Sequence, residues 1–425
     1  MNEGRSKPGG ADPESSSRRD VAPESAPATR PTGPVEGAAV SPYELFYDLV
    51  FVGAILGLSL SFGQTGGFEG LVVAAATFLF AWWIWQETML FSNRFGDPLG
   101  PLPAGSGRRI RRLSFGIRLA ALFQMLLIVL LALDEPEGLR PDGIDSGFAW
   151  VSAGAVASVF ALREMGARLR PELSEEARRR RVWSVVAIGL MIAAASSPGV
   201  LDEGLWALGL LALVVPGSAL IGREEADLPP TALEHVSERL MLFVLIVAGD
   251  LFLKIIVYWN TSLTTQFEVV QLVFVSLIVF SFFRIYTAAV VSRPVPDRRF
   301  GLELWLSLHY VLSFALLIAA GGMVEYVTPK EGVDEWVLMS AGLGLAVAVG
   351  MVALLTGYAG GRSDHRRARV LGAVAALLVA ATVVVTYLTP EDWRVGVASL
   401  AVIMVGAAVS SSLRDEAGYR SEADT

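Results

Sequence analysis

The chain has 425 residues, 53% hydrophobic and 18% charged, with a net charge of -8 and no cysteine. Soluble domains run nearer 45–50% apolar with about 25% charged. The lack of cysteine excludes disulfides, thiolate catalysis and cysteine metal sites, and an acidic chain whose arginines sit in short blocks has no nucleic-acid footprint.

In chain order, residues 1–40 are rich in Pro, Ser, Gly, Ala and charge. They cannot bury enough apolar surface to fold and are expected to form a disordered cytoplasmic tail. They hold no apolar stretch of signal-peptide type. Apolar runs then follow at about 44–63, 69–91, 114–133, 147–165, 182–199 and 203–222. A second set falls at about 236–258, 266–290, 301–320, 335–357, 368–388 and 394–412. Each is long enough to cross a hydrocarbon core of about 30 Å at about 1.5 Å per residue. No soluble interior could bury so many runs in succession. The expected fold is an all-α polytopic membrane protein of about twelve transmembrane helices, closed by a second cytoplasmic tail at 414–425.

The basic residues alternate. The loops after the even-numbered runs carry Arg94, Arg108, Arg109, Arg111 and Arg112, then Arg163, Arg168, Arg170 and Arg178 through Arg181, then Arg223. The same series continues with Arg293, Arg298 and Arg299, and with Arg362, Arg366, Arg367 and Arg369. The other loops hold Arg140, Lys330 and Arg394. Cytoplasmic loops are enriched in Lys and Arg, so both termini are expected in the cytoplasm of a multi-pass plasma-membrane protein.

Landmarks recur at a near-constant offset. Trp150 and Trp336 stand 186 residues apart, Trp206 and Trp393 187 apart, and Arg111-Arg112 precede Arg298-Arg299 by 187. Interfacial tryptophans and basic loops recur in any membrane protein, but three aligned landmarks favour duplication. The expectation is two parallel six-helix repeats, 41–223 and 224–413, with a functional site at their interface.

Ionisable groups inside spans cost about 2.5–3.5 kcal/mol each on insertion scales and persist when they pair, line water or do chemistry. The first span carries Glu44 and Asp48, four apart and so on one face. The seventh opens on His235, Glu238 and Arg239, with Asp250 and Lys254 further along. The second holds Glu87, the eighth Arg284, and the ninth Glu303 and His309. Glu44 and Glu238 lie near helix starts, where acids suit the N-terminal dipole, and Arg239 could snorkel to the headgroups. The candidate ion or proton site is Glu44, Asp48, Glu238, Asp250, Lys254, Arg284 and His309.

Two segments carry a family likeness. Glu44-Leu45-Phe46-Tyr47-Asp48-Leu49-Val50-Phe51-Val52 resembles the Glu-Leu-Phe-Phe-Asp-Leu-Val-Phe-Val opening of the bacterial low-temperature-requirement A (LtrA) family. His235-Val-Ser-Glu238-Arg239 through Gly249-Asp250 is similar to that family's His-x-x-Glu-Arg segment, which ends in Gly-Glu. Arg284 stands where the family shows aromatic residues. The resemblance implies a membrane protein and names a cold-growth phenotype, with no reaction or substrate attached.

Three function classes follow. The first is a transporter or channel for a proton or small cation. The second is an intramembrane enzyme or lipid-handling protein using Glu44, Asp48, His235 and His309. The third is a non-catalytic, stress-related membrane component. The lipid bilayer is the expected partner; no cofactor or nucleic acid is expected, and oligomeric state is left open.

Overall fold

The computed structural model describes residues 42–65, 67–95, 107–140, 143–169, 174–197, 201–214, 233–261, 269–293, 295, 299–327, 335–359, 362–388 and 397–408. The two expected tails lie outside these residues.

Among the described residues, twelve helices fall on the twelve apolar runs. They are α1 (Pro42–Thr65), α2 (Gly67–Phe95), α3 (Arg108–Gly138), α4 (Ser146–Leu169), α5 (Ser174–Ser196) and α6 (Leu201–Val214). The second set is α7 (Leu233–Thr261), α8 (Val269–Tyr286), α9 (Arg299–Val327), α10 (Glu335–Ala359), α11 (Arg362–Leu388) and α12 (Val397–Ala408). The other regular pairing among the described residues is a two-residue antiparallel ribbon, Leu139–Arg140 against Gly143–Ile144, between α3 and α4.

Seven helices are long and apolar enough to cross a membrane by length and composition: α2, α3, α4, the α8 segment, α9, α10 and α11. Near its start α5 carries Arg178 through Arg181, and α7 carries Glu234, Glu238, Arg239, Asp250 and Lys254. Much apolar surface faces outward. Phe115, Leu119, Leu122, Phe123 and Leu126 of α3 are exposed, as are Val182, Trp183, Val185 and Val186 of α5. A soluble monomer could not carry patches of that size, whereas lipid tails solvate them. The chain is a multi-pass helical membrane protein.

Packing follows chain order in each half. Helix α1 packs on α2 and α3, α3 on α4, and α4 on α5; likewise α7 packs on α8 and α9, α9 on α10, and α10 on α11. The halves meet where α1 touches α7 and α9. Small residues permit the tightest approaches. A methyl group on Gly344 of α10 would come within 2.7 Å of the Ala315 carbonyl oxygen and 2.8 Å of the Ala319 nitrogen on α9. Glycine at that position lets the two backbones touch, as small residues do in membrane bundles.

The end of α8 departs from the simple pattern. Residues Thr287–Val291 form a π-helical turn. The Thr287 hydroxyl donates to the carbonyls of Phe283 and Arg284 at 2.9 and 3.1 Å. The Thr356 hydroxyl of α10 reaches the Ala289 carbonyl at 3.5 Å. Side chains thus take up carbonyls in the region where the ladder widens.

Candidate functional site

The first turns of α1 and α7 lie side by side. Asp48 is fully buried, 0% exposed, and Arg239 is 1% exposed. Arg239 grips Asp48 with two donors: Nη2 to Oδ1 at 2.5 Å and Nε to Oδ2 at 3.1 Å. The indole N–H of Trp85 on α2 donates to Asp48 Oδ1 at 2.8 Å. Arg239 Nη1 donates to the Ser92 hydroxyl at 2.9 Å and lies 3.6 Å from Glu44 Oε1. The guanidinium also sits 6.0 Å from the centre of the Trp85 ring. Arginine suits this position because its planar fork matches a carboxylate with two bonds and keeps donors for other partners.

One turn toward the helix starts lies a second rung. His235 Nε2 approaches Glu44 Oε1 at 3.3 Å. Glu44 is buried, and the His235 side chain keeps 15% of its surface exposed. Residues four apart on each helix therefore pair in the same order: Glu44 with His235, then Asp48 with Arg239. This places α1 and α7 in the same direction across the contact. Both rungs join residues 191 apart.

Of the two readings open for Arg239, the structure has it buried at 1% exposure and not reaching outward. It turns inward because Asp48, Ser92 and Trp85 converge from two other helices and satisfy it in the interior. Glu238 and Arg284 are exposed and lie outside this cluster. Asp250 and Lys254 form a separate pair on α7 at 2.9 Å, each 1% exposed. At about 1.5 Å per residue along a helix, Asp250 lies about 16 Å beyond the level of Arg239. His309 of α9 is fully buried elsewhere. Its Nδ1 faces the Trp305 carbonyl at 2.8 Å, so that nitrogen carries the proton, and Nε2 meets the Tyr286 hydroxyl at 3.2 Å. The seven expected residues thus divide among three buried places and the surface.

Beyond the Asp48 pair the interior is aromatic. Trp85 packs on Phe243 at 4.6 Å and on Trp82 at 5.2 Å, and Trp82 meets Tyr310 edge-on at 6.0 Å. Phe78 stacks on Tyr310 at 5.4 Å. This stack of α2, α7 and α9 covers the inner side of the charge pair.

Two more ion clusters tie helix ends. Glu87 of α2 pairs with Arg163 of α4 and accepts from Arg180 of α5 at 2.8 Å. Arg163 also lies 5.6 Å over the Trp83 ring. Arg293, just past the π turn, pairs with Asp364 of α11 at 2.5 Å. Sequence reading treated these arginines as topology markers in loops. Their partners stand on other helices, and only the matching spacing of Glu44/Asp48 and His235/Arg239 was available as a signal for any of these contacts.

Residues 39–409 match the family described as Bacterial low temperature requirement A protein (LtrA). A protein described as uncharacterized from Rhizobium meliloti (strain 1021) is 27% identical over 232 residues, which is 52% of this chain and 52% of that protein. The match spans about half the length of that curated relative. No solved structure matches. The family match runs through both rungs and past the last described helix, so the chain belongs to the bacterial low temperature requirement A (LtrA) family.

Proposed function

We propose that the protein is a membrane transporter or channel for a small ion, and that the ion is the proton. The observation that carries this reading is the pairing of α1 with α7. Glu44, Asp48, His235 and Arg239, taken together, are neutral only when Glu44 and His235 share one titratable proton. A permanent cation held 2.5 Å from Asp48 opposes entry of a metal cation, while a proton can enter through the partly exposed His235. Buried ionisable clusters in membrane helices mark such pathways.

The test is flux in proteoliposomes under an imposed pH gradient or potential. The native chain should collapse the gradient well above empty vesicles. Glu44→Gln and His235→Gln should slow it at least tenfold, since both leave the Asp48–Arg239 pair intact. Native rates equal to empty vesicles under both driving forces would end the proposal.

The reading also takes both termini as cytoplasmic in the plasma membrane and the chain as two six-helix repeats, 41–223 and 224–413. The arginine bias supports the first, and the recurring packing order with the parallel 191-residue register supports the second. The absence of cysteine makes topology directly measurable. Ser197→Cys should react with an impermeant maleimide on intact cells, and Ser174→Cys only after permeabilisation; the reverse pattern would invert the topology. Failure of α1–α6 to superpose on α7–α12 in an experimental structure would remove the repeat.

An enzyme reading would draw on Glu44, Asp48 and His235, while the ring nitrogens of His309 meet Trp305 and Tyr286.

A further inference from the structure

Gln124 lies inside the α3 span and is 0% exposed. Its Oε1 accepts from the Tyr47 hydroxyl of α1 at 2.9 Å and from the Thr88 hydroxyl of α2 at 3.1 Å. Three helices thus converge on one carboxamide, and both lone pairs of its oxygen are used. Its Nε2, with two N–H donors, has no hydrogen-bond partner among the described residues. Turning the amide end for end does not remove the mismatch. The nitrogen would then donate to Tyr47 and Thr88, and the carbonyl oxygen would be left over. Either orientation leaves one polar end of a fully buried side chain unmatched, which native interiors avoid.

We propose that Gln124, Tyr47 and Thr88 form a buried water-binding site between α1, α2 and α3. Water fits because it both donates and accepts, and so completes the amide in either orientation. It needs two to four polar partners. The Gln124 amide supplies one, and the second lone pairs of the Tyr47 and Thr88 hydroxyl oxygens supply two more. A metal cation fits poorly, since the amide and the two hydroxyls are all neutral. Tyr47 directly precedes Asp48 on α1, so the site hydrates the turn that carries the inner carboxylate. That turn is otherwise backed by aromatic rings. The inference rests on the amide geometry and stands whether or not the protein moves protons.

Hydroxyl-radical footprinting by X-ray pulse tests it, because radicals generated from trapped water mark the side chains beside them. In the full chain in detergent, Tyr47 should be modified at least fivefold faster than Phe80, although both are buried. Gln124→Met should bring Tyr47 down to the Phe80 rate while the unfolding temperature shows the bundle intact. Tyr47 modified no faster than Phe80 in the native chain would overturn the site. Unchanged Tyr47 modification in Gln124→Met would overturn the role of the amide. If the variant does not fold, the native comparison of Tyr47 with Phe80 decides alone. Because the readout is water and not flux, failure of the transport reading would leave this result untouched.

Discussion

Arg239→Met is expected to destabilise the protein by about 3–5 kcal/mol, because it leaves a carboxylate buried without its cation. Asp48 would keep one donor, the Trp85 indole, in a place with no measurable solvent exposure. The reverse change, Asp48→Leu, strands the guanidinium, although Glu44 at 3.6 Å and Ser92 still face it. Its expected cost is therefore the smaller of the two. The double variant Asp48→Leu with Arg239→Met should recover most of the loss, since an apolar pair of similar volume often equals or exceeds a buried ion pair. Thermal unfolding in detergent, run as a double-mutant cycle, measures the coupling. Additive single effects would mean that the two residues do not act as a pair. Flux then separates stability from function: on the proton reading the double variant folds and does not transport.

Lys254→Met is expected to cost about 3 kcal/mol or more for the same reason. It removes the cation held 2.9 Å from Asp250 at a position 1% exposed. Membrane burial sharpens the expectation, since ionisable groups in a span are already costly before they lose a partner. The double variant Asp250→Leu with Lys254→Met should again recover stability. Here the flux result carries the greater weight. A purely structural tie predicts that the recovered double variant transports at the native rate. A transport role predicts a stable and inactive double variant. Equal unfolding temperatures for native chain and Lys254→Met would show that the pair contributes little to the fold.

The sequence expectations and the structure agree on the elements for a physical reason. A membrane span must satisfy its own backbone hydrogen bonds, so an apolar run of about 20 residues has few options besides a helix. All twelve apolar runs hold helices, within a few residues at most ends. The candidate site was legible only in part. Glu44 and Asp48 were marked by their four-residue spacing, whereas nothing local paired His235 and Arg239 with them. Asp250 and Lys254 were legible as a pair because both partners lie on one helix. Glu87 and its arginines were not, because α2, α4 and α5 each supply one member.

The amino-acid sequence by itself determined that this chain is a helical membrane protein of the LtrA type, with its charges in identified apolar runs and its arginines concentrated in alternate connections. Those features are local: hydropathy, spacing along one helix and short motifs. The tertiary structure decided which charge meets which. It turned Arg239 from the headgroups to Asp48, left Glu238 and Arg284 at the surface, and set His309 on Tyr286 and away from the carboxylates. Helix contacts depend on how bundles pack across long separations, here 191 residues for both rungs, and no local pattern encodes that distance. What one helix presents was written in its own residues, and what it presents them to was set by packing.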